Sequence, residues 1–325
     1  MVIKSSAQAK FSKDIDRFSA PDFSGLDLPA YYSPETVVPL LLSRGCYWRK
    51  CTFCTHYFSS GDNFRLHSVE YAIDMVKKFK GQGIENFSFV DEMISPRFLE
   101  RFSDALLKEK LEISYYAMAK PNRSFLTPGL FDKMAKTGCK YLIWGVESGC
   151  QRVLDLMGKG TIKEDVAEVL QAAHEAGIVN HIFLISGFPT ETNEEFSETV
   201  DFLYENSNAI YGIHRGTFIL TEDSPIWCSP EQFSITTIRM SRNDPLGKMF
   251  SYECSQGVSQ QEANANLQSA LPFFREIHPF AKLMPTFRDH SLLLYKQKGP
   301  ELRMVPRYFS PRSSIRTDGK MKIPA

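Results

Sequence analysis

The sequence predicts an α/β fold in which six parallel strands curl into a partial (βα)6 barrel, followed by a mixed C-terminal extension. Three observations support this prediction. Six apolar runs alternate with five helical segments between residues 37 and 220, at intervals of roughly 25 to 50 residues that are typical of βαβ units. The runs are continuously apolar, as in strands that helices cover on both faces. Right-handed crossovers curl such a series into an open or closed barrel.

The strands and helices are expected in strict alternation. The strands correspond to the short apolar runs at residues 37–42, 87–90, 111–118, 141–144, 182–185 and 212–220. The helical segments are expected at 69–80, 98–108, from 127 onward, 161–176 and 192–206. In the first of these helices the apolar positions Ala72, Met75, Val76 and Phe79 share one face, which would pack against the sheet.

Local signals set several of the predicted helix ends. Thr127 followed by Pro128 predicts an N-cap and a first helical residue. The pairs Thr161-x-x-Glu164 and Thr192-x-x-Glu195 have the spacing of a capping box. Gly177 is expected to end the helix that begins near residue 161.

The chain divides into four predicted parts. Residues 1–35 are polar and contain several prolines, which indicates an N-terminal arm or a linker remnant. Residues 36–230 form the predicted core barrel, and residues 231–298 a C-terminal extension with one helix at 260–278. Residues 299–325 are basic and proline-rich, which is typical of a flexible tail.

Composition restricts the function classes. The 325 residues carry 38 Lys+Arg and 38 Asp+Glu, and 43% of them are hydrophobic, so a large core is expected. The zero net charge provides no general attraction for nucleic acid, which is not an expected partner. No apolar run approaches the roughly 18 residues of a transmembrane helix. The first 13 residues lack the apolar core of a signal peptide, so we expect a cytoplasmic protein without a membrane partner.

The seven cysteines are unevenly distributed along the sequence. Three of the seven, Cys46, Cys51 and Cys54, have the spacing C-x4-C-x2-C. An odd count in an intracellular chain argues against a disulfide framework, and three clustered thiolates suit an iron–sulfur cluster or zinc. His56 could complete a closed zinc site. Three cysteines on a four-iron cluster would instead leave one iron open for chemistry.

Polar or glycine residues follow the predicted strands. After the cysteine loop come Asp91 and Glu92, then Lys120, then Glu147 and Ser148, and finally Gly187 in Gly-Phe-Pro. In parallel α/β folds, sites form at the carboxyl ends of the strands. The unusual residues therefore coincide with the edge of the sheet where a site is expected.

The string Arg-Gly-Cys-Tyr-Trp-x-Lys-Cys-x-Phe-Cys at residues 44–54 resembles the radical S-adenosylmethionine superfamily. The commonest spacing there is C-x3-C-x2-C, and the longer loop is similar to a variant in the branch associated with cobalamin-binding domains. Phe-Ser-Phe-Val-Asp-Glu at 87–92, Gly-Val-Glu-Ser-Gly at 145–149 and Gly-Phe-Pro-Thr-Glu-Thr at 187–192 resemble further elements of that family in the same order. The resemblance extends over residues 20–230.

The resemblance implies a role for each matching residue. Cys46, Cys51 and Cys54 would ligate three irons of a [4Fe–4S] cluster, and the amine and carboxylate of S-adenosylmethionine would chelate the fourth. Phe53 would lie near the adenine. As an alternative that remains open, Phe53 is a loop aromatic at the mouth of the barrel.

The strand-end residues would contact the rest of the cosubstrate. Asp91 and Glu92 would approach its ammonium group, Glu147 and Ser148 its ribose or methionyl end, and Gly187 would let the backbone approach the adenosyl group. Each also has a local alternative: Asp91 and Glu92 as a helix-start cluster, Glu147 paired with Arg152 or Lys120, and Gly187 as an ordinary turn glycine.

The resemblance implies a radical S-adenosylmethionine enzyme that generates a 5′-deoxyadenosyl radical. Its substrate, a small molecule or a peptide, is unknown, and methyl transfer or natural-product modification is expected. An electron donor such as flavodoxin or ferredoxin would be a partner. The length leaves no room for a cobalamin-binding domain, so cobalamin would have to come from another domain or chain. The alternative function is a non-catalytic zinc or iron–sulfur module that holds the fold or a partner.

Overall fold

A computed structural model describes residues 12–56, 64–240, 250–277 and 287–300, with short backbone segments at 316–317 and 320–321. The strands are β1 (Val37–Leu40), β2 (Ser43–Arg44), β3 (Arg65–Leu66), β4 (Asn86–Phe89), β5 (Ser114–Ala119), β6 (Cys139–Glu147), β7 (Val179–Ser186), β8 (Ile210–Thr217), β9 (Ile235–Met240), β10 (Phe250–Cys254), β11 (Arg316–Thr317) and β12 (Lys320–Met321). The α-helices are α1 (Val69–Lys80), α2 (Pro96–Glu109), α3 (Leu130–Lys136), α4 (Gln151–Leu156), α5 (Lys163–Glu175), α6 (Asn193–Glu205), α7 (Pro225–Cys228), α8 (Gln260–Ser269), α9 (Leu271–Ile277) and α10 (Arg288–Lys298).

Six strands form the central sheet in the order β1-β4-β5-β6-β7-β8. Every neighbouring pair is parallel, and β1 and β8 are the two edges. The predicted six-stranded parallel sheet of a partial barrel is confirmed. The remaining described strands form small antiparallel pairs, β2 with β3, β9 with β10 and β11 with β12.

The outer face of the sheet carries the main hydrophobic core. Ala72, Met75, Val76 and Phe79 of α1 are buried as their spacing predicts. They pack in one cluster with outward-facing strand residues such as Phe87. Because both faces of these strands are covered, the strands read as continuous apolar runs in the sequence.

The inner face of the sheet lines a lumen, and helix α10 packs inside it. Tyr116, Tyr141, Val179 and Tyr211 of four strands form one cluster with Leu292 and Tyr295 of α10. Three of these strand residues lie near the amino ends of their strands. Helix α10 therefore forms a floor at that end of the barrel, opposite the end where a site is expected.

Some predicted helix ends were wrong for identifiable reasons. Helix α3 begins after Gly129, and a 3-10 helix, Arg123–Leu126, precedes Thr127. Helix α5 begins one residue later than the Thr161 box predicts, with Ile162 in the N-cap position and no side-chain cap. The Thr161 hydroxyl instead donates to Lys159 O at 3.4 Å, and Gln151 Oε1 accepts from Lys163 N at 2.9 Å. The capping box at Thr192 is confirmed, with both of its hydrogen bonds present.

The predicted 260–278 helix is two helices. Helix α8 ends at Ser269 and α9 follows from Leu271, with Pro272 as its second residue. Proline lacks the N–H that a continuous helix would need there. Residue 278 and most of the predicted tail, 299–325, lie outside the described residues. In the part of the chain that the structure describes, no helix has the length and apolarity to cross a bilayer.

Candidate active site

The cysteine loop begins at a short antiparallel stem. Ser43 and Arg44 of β2 pair with Leu66 and Arg65 of β3, so the two ends of the loop are held together. Asp91, just past β4, fastens this stem to the central sheet. Its carboxylate accepts hydrogen bonds from Leu42 N at 3.1 Å and from Ser43 Oγ at 2.5 Å. Burial raises the pKa of Asp91 to about 6.

A second set of contacts seats the loop on residues 156–160, the turn between α4 and α5, which we call the loop seat. The Trp48 indole N–H donates to Gly158 O at 2.8 Å. Thr52 donates twice, from its backbone N to Met157 O at 2.9 Å and from its hydroxyl to Leu156 O at 2.9 Å. The sequence between the three cysteines is thus fixed on both sides of Cys51.

Two glycines of the loop seat are required by close packing. A Cβ on Gly160 would lie 2.1 Å from Trp48 Cζ2, and a Cβ on Gly158 would lie 2.4 Å from Lys50 O. Both glycines also have positive φ, +56° and +62°, a region that side chains disfavour. Any larger residue at either position would push the cysteine loop away from the barrel.

Two buried lysines adjoin the cysteines. Lys120 Nζ lies 3.2 Å from the centre of a Trp48 ring and donates to Gly160 O at 3.0 Å. Burial, with a contribution from the charge of Lys159, lowers the pKa of Lys120 to about 8. Lys159 Nζ lies 2.8 Å from Glu147 Oε1, and both side chains are about nine-tenths buried. Thiolates at this edge of the sheet would therefore face positive charge.

Glu147 is aimed by an irregularity in β6. The register between β6 and β7 shifts between Gly145 and Glu147, and Glu147 has a φ of +68°. Bulges of this kind often redirect a side chain beside an active site. Neither of the expected alternative partners holds Glu147: Arg152 pairs with Glu195 instead, and Lys120 contacts Trp48.

The three thiols fit a multi-iron cluster. Burial raises the pKa of Cys51 to about 11, the charge of Lys159 opposes this, and Cys46 and Cys54 lie near enough to interact electrostatically with Cys51. All three cysteines keep partial exposure. Among the described residues, no three Cys, His, Asp or Glu side chains share one single-ion site. A four-iron cluster suits three neighbouring thiols because each cysteine binds a different iron.

Other predicted site residues contact neighbouring layers. Glu92 Oε1 lies 3.1 Å from His56 Nδ1, at the end of the cysteine loop. Ser148 Oγ lies 3.0 Å from Thr199 Oγ1 of α6 and accepts from Cys150 N at 3.1 Å. The Ser148 hydroxyl is therefore engaged with the outer helix layer.

Phe53 and Gly187 adjoin the C-terminal extension: Phe53 packs on a cluster that includes Phe233, and Gly187 packs on α8. The Phe53 ring lies edge-on to Phe188 with centroids 6.5 Å apart. Gly187 has a φ of +73°, and a Cβ there would lie 2.2 Å from Ala263 Cβ of α8. Glycine at 187 is thus required by a turn and by close helix packing.

The expected alternative for Asp91 and Glu92, a helix start, is wrong, because Ser95 caps α2.

A cavity of about 590 Å³ lies beside this edge. Its lining combines the end of β6 with parts of β7, β8 and α8. The lining residues are Glu147 of β6; Phe183, Leu184 and Ile185 of β7; Ile213, His214, Arg215 and Gly216 of β8; and Leu267 and Gln268 of α8. The volume is in the range of small-molecule sites. Glu147 thus contacts both the cysteine region, through Lys159, and the cavity.

Sequence reasoning missed Lys159 and the loop seat. The available signal was Met-Gly-Lys-Gly at 157–160, a lysine between two glycines shortly after the fourth-strand motif. It also missed the floor helix α10, whose sequence carries no motif. Lys120 was expected only as an alternative partner of Glu147, and its contacts with Trp48 and Gly160 were missed.

Comparisons with known proteins identify the family of this chain. The model of the Radical SAM superfamily matches residues 40–203, about half of the chain. The chain is 27% identical over 194 residues to an uncharacterised methyltransferase from Pyrococcus horikoshii, covering 58% of this chain and 42% of that protein. It is 29% identical over 276 residues to cytidylyl-2-hydroxyethylphosphonate methyltransferase from Streptomyces wedmorensis, covering 78% and 49%. The chain thus spans less than half the length of these curated relatives.

The fold is also similar to a solved structure. The cobalamin-dependent S-adenosylmethionine radical enzyme OxsB, with aqua-cobalamin and S-adenosylmethionine bound, matches with a TM-score of 0.58 and 18% identity, covering 81% of this chain and 45% of that one. With a family model over half of its length and three clustered cysteines at the carboxyl end of a parallel sheet, the chain belongs to the radical S-adenosylmethionine superfamily, whose cofactors are a [4Fe–4S] cluster and S-adenosylmethionine.

Proposed function

We propose that this chain carries the catalytic barrel of a radical S-adenosylmethionine methyltransferase. The observation that carries the proposal is the convergence of Cys46, Cys51 and Cys54 beside the buried Lys159–Glu147 pair. Methyl transfer is favoured because the relatives described above are named methyltransferases. Cobalamin would be supplied by another domain or chain, as the likeness to OxsB suggests at the level of the fold.

The three cysteines would hold the cluster, which supplies one electron for reductive cleavage of S-adenosylmethionine. The chain's own residues would position the cosubstrate. Glu147, at the bulge of β6, would contact its ribose or methionyl end, and Glu92 its ammonium group. The Ser148 backbone would also contact the ribose or methionyl end, and the Gly187 backbone would approach the adenosyl group. The Phe53 ring would lie near the adenine. An electron donor such as flavodoxin or ferredoxin would deliver the electron.

Asp91 would contact the cosubstrate through its backbone and not through its carboxylate. Its two carboxylate oxygens already hold Leu42 and Ser43, so its backbone carbonyl is the group that remains for the ammonium. The buried carboxylate would keep the stem of the cysteine loop in place while the cluster changes charge.

Anaerobic reconstitution with iron and sulfide tests the proposal. We expect about four irons per chain, a broad visible absorbance that bleaches with dithionite, and formation of 5′-deoxyadenosine from S-adenosylmethionine. Cys51→Ser should lose the absorbance while keeping the circular dichroism of the folded chain. Cys228→Ser is the matched control, because Cys228 is exposed and lies outside the C-x4-C-x2-C set, and it should behave as the parent protein.

Methyl transfer needs a separate readout. With cobalamin and methyl-deuterated S-adenosylmethionine, label should reach the cobalamin or an added acceptor, and S-adenosylhomocysteine should accumulate. Stoichiometric zinc without cleavage of S-adenosylmethionine would instead support the non-catalytic metal module. Cleavage that yields 5′-deoxyadenosine and never S-adenosylhomocysteine would contradict methyl transfer alone.

A further inference from the structure

The floor of the lumen is fixed by polar contacts from three strands. The Tyr141 hydroxyl donates to Arg288 O at 2.9 Å, and the Tyr116 hydroxyl donates to Asp289 Oδ1 at 3.2 Å. The Tyr295 hydroxyl lies 2.9 Å from His181 Nε2. Buried hydrogen bonds of this kind specify one arrangement of a packed element. The first turn of α10 therefore has a defined position inside the barrel.

Arg288 points its guanidinium across the lumen. Its Cζ lies 5.7 Å from the centre of the Phe183 ring on β7, and one of its terminal nitrogens lies 3.9 Å from Met118 Sδ on β5. The next residue in the chain, Asp289, accepts the Tyr116 hydrogen bond; burial raises the pKa of Asp289, and the charges of His290 and Arg288 oppose this. On the side of the lumen, the guanidinium meets a thioether and a ring, which are weak partners for its N–H donors.

The guanidinium lies one layer below the cysteine edge of the barrel. Met118 and Lys120 point to the same side of β5, and two residues of strand advance the chain by roughly 7 Å. Phe183, which contacts Arg288, also lines the 590 Å³ cavity, together with Ile185 and Glu147. A molecule that fills this cavity and extends past the Phe183 ring would reach Arg288 below and the site at the strand ends above.

We propose that Arg288 binds the anionic group of the substrate, and that the substrate is a compact acid bearing a carboxylate or a phosphorus oxyacid. Its apolar part would pack on Phe183 and Met118 and extend toward the strand ends. A planar guanidinium forms two parallel hydrogen bonds to either kind of acid. This inference rests on the proposed function, because it assigns the substrate class of the same site.

Binding of small acids to the reconstituted holoenzyme tests the proposal. The probes are phenylacetate, phenylphosphonate and the neutral phenylacetamide, measured by calorimetry at fixed ionic strength. We expect at least one acid to bind more tightly than the amide. Arg288→Gln should weaken the binding of that acid by about tenfold or more, because a charge-assisted hydrogen bond is lost. The affinity for the amide should not change.

Two further variants complete the test. Arg288→Lys keeps the charge and should retain part of the affinity, which covers the case that Arg288→Gln fails to fold. Arg97→Gln, on an exposed position of α2, is the matched control and should bind as the parent does. Equal binding of acids and amide, no binding of either acid, or unchanged acid binding in the Arg288 variants would overturn the proposal.

The same preparations separate this proposal from the proposed function. A parent protein that cleaves S-adenosylmethionine but does not discriminate between acid and amide overturns the assignment of Arg288 alone. A protein that binds acids through Arg288 but forms no 5′-deoxyadenosine overturns the proposed function alone.

Discussion

Gly160→Ala should displace the cysteine loop. The added Cβ would lie 2.1 Å from Trp48 Cζ2 and 2.3 Å from Cη2, and overpacking of this kind costs about 1–3 kcal/mol. The φ of +56° adds about 1–2 kcal/mol for a residue with a Cβ. The free energy of unfolding of the metal-free chain should therefore fall by about 2–5 kcal/mol. Urea titration measures this loss.

Gly177→Ala separates the two contributions. Gly177 has a φ of +79°, and its added Cβ would meet nothing within 4 Å, so only the conformational part should appear. The difference between the two variants should be about 1–3 kcal/mol, the steric part at Trp48. Since Trp48 lies between Cys46 and Cys51, Gly160→Ala should also bind less iron on reconstitution, whereas Gly177→Ala should bind the full amount.

A smaller ring should relieve the clash. Adding Trp48→Phe to Gly160→Ala removes the two contacted ring atoms and should recover part of the bound iron. If Gly160→Ala and Gly177→Ala show the same stability and the same iron content, then the close packing of Trp48 on the loop seat does not position the cysteines.

Three further expectations concern buried charge and capping. Lys159→Met leaves the buried Glu147 carboxylate without its partner and should destabilise the metal-free chain by about 3–5 kcal/mol in urea titration; adding Glu147→Gln should recover most of this. Burial and then the charge of a neighbouring carboxylate raise the pKa of Glu191 from 4.5 to about 8. The contribution of Glu191 to the free energy of unfolding is therefore complete below about pH 4.5 and is lost as pH rises through 8. Glu191→Gln should flatten that decline in urea titrations across this pH range, and an unchanged pH profile would contradict the burial argument. Thr192→Ala should lower the free energy of unfolding by about 1 kcal/mol through loss of the capping box, and more than Thr161→Ala, whose hydroxyl caps no helix.

Features encoded in local sequence were predictable. Helix α1 occupies residues 69–80 as its apolar spacing indicates, and the Thr192 capping box forms because both partners lie within one turn. Thr161 has the same local pattern, but the helix starts after Ile162, the Thr161 hydroxyl donates to Lys159 O, and Gln151 Oε1 accepts from Lys163 N. Competition between near and distant acceptors is decided only by the folded backbone.

The candidate site was predictable to the extent that it follows strand ends. The cysteines, Glu147 and Asp91 lie at the expected edge because parallel strands bring their carboxyl ends together. The pairing of Lys159 with Glu147 depends on the path of the turn after α4, which no local pattern specifies. The position of α10 inside the lumen was also unpredictable, because its buried residues Leu292 and Tyr295 indicate a packed helix without indicating which face of the sheet it covers.

The floor helix gives the barrel a delayed final step during synthesis. About 80 residues separate the end of β8 from the end of α10, and ribosomes add roughly 5–20 residues per second. For several seconds, all six strands are present while the rings of Tyr116 and Tyr141 have no helix to cover them. During that interval the aromatic interior of the nascent barrel lacks its covering helix, and the guanidinium proposed to bind the substrate has not yet been made.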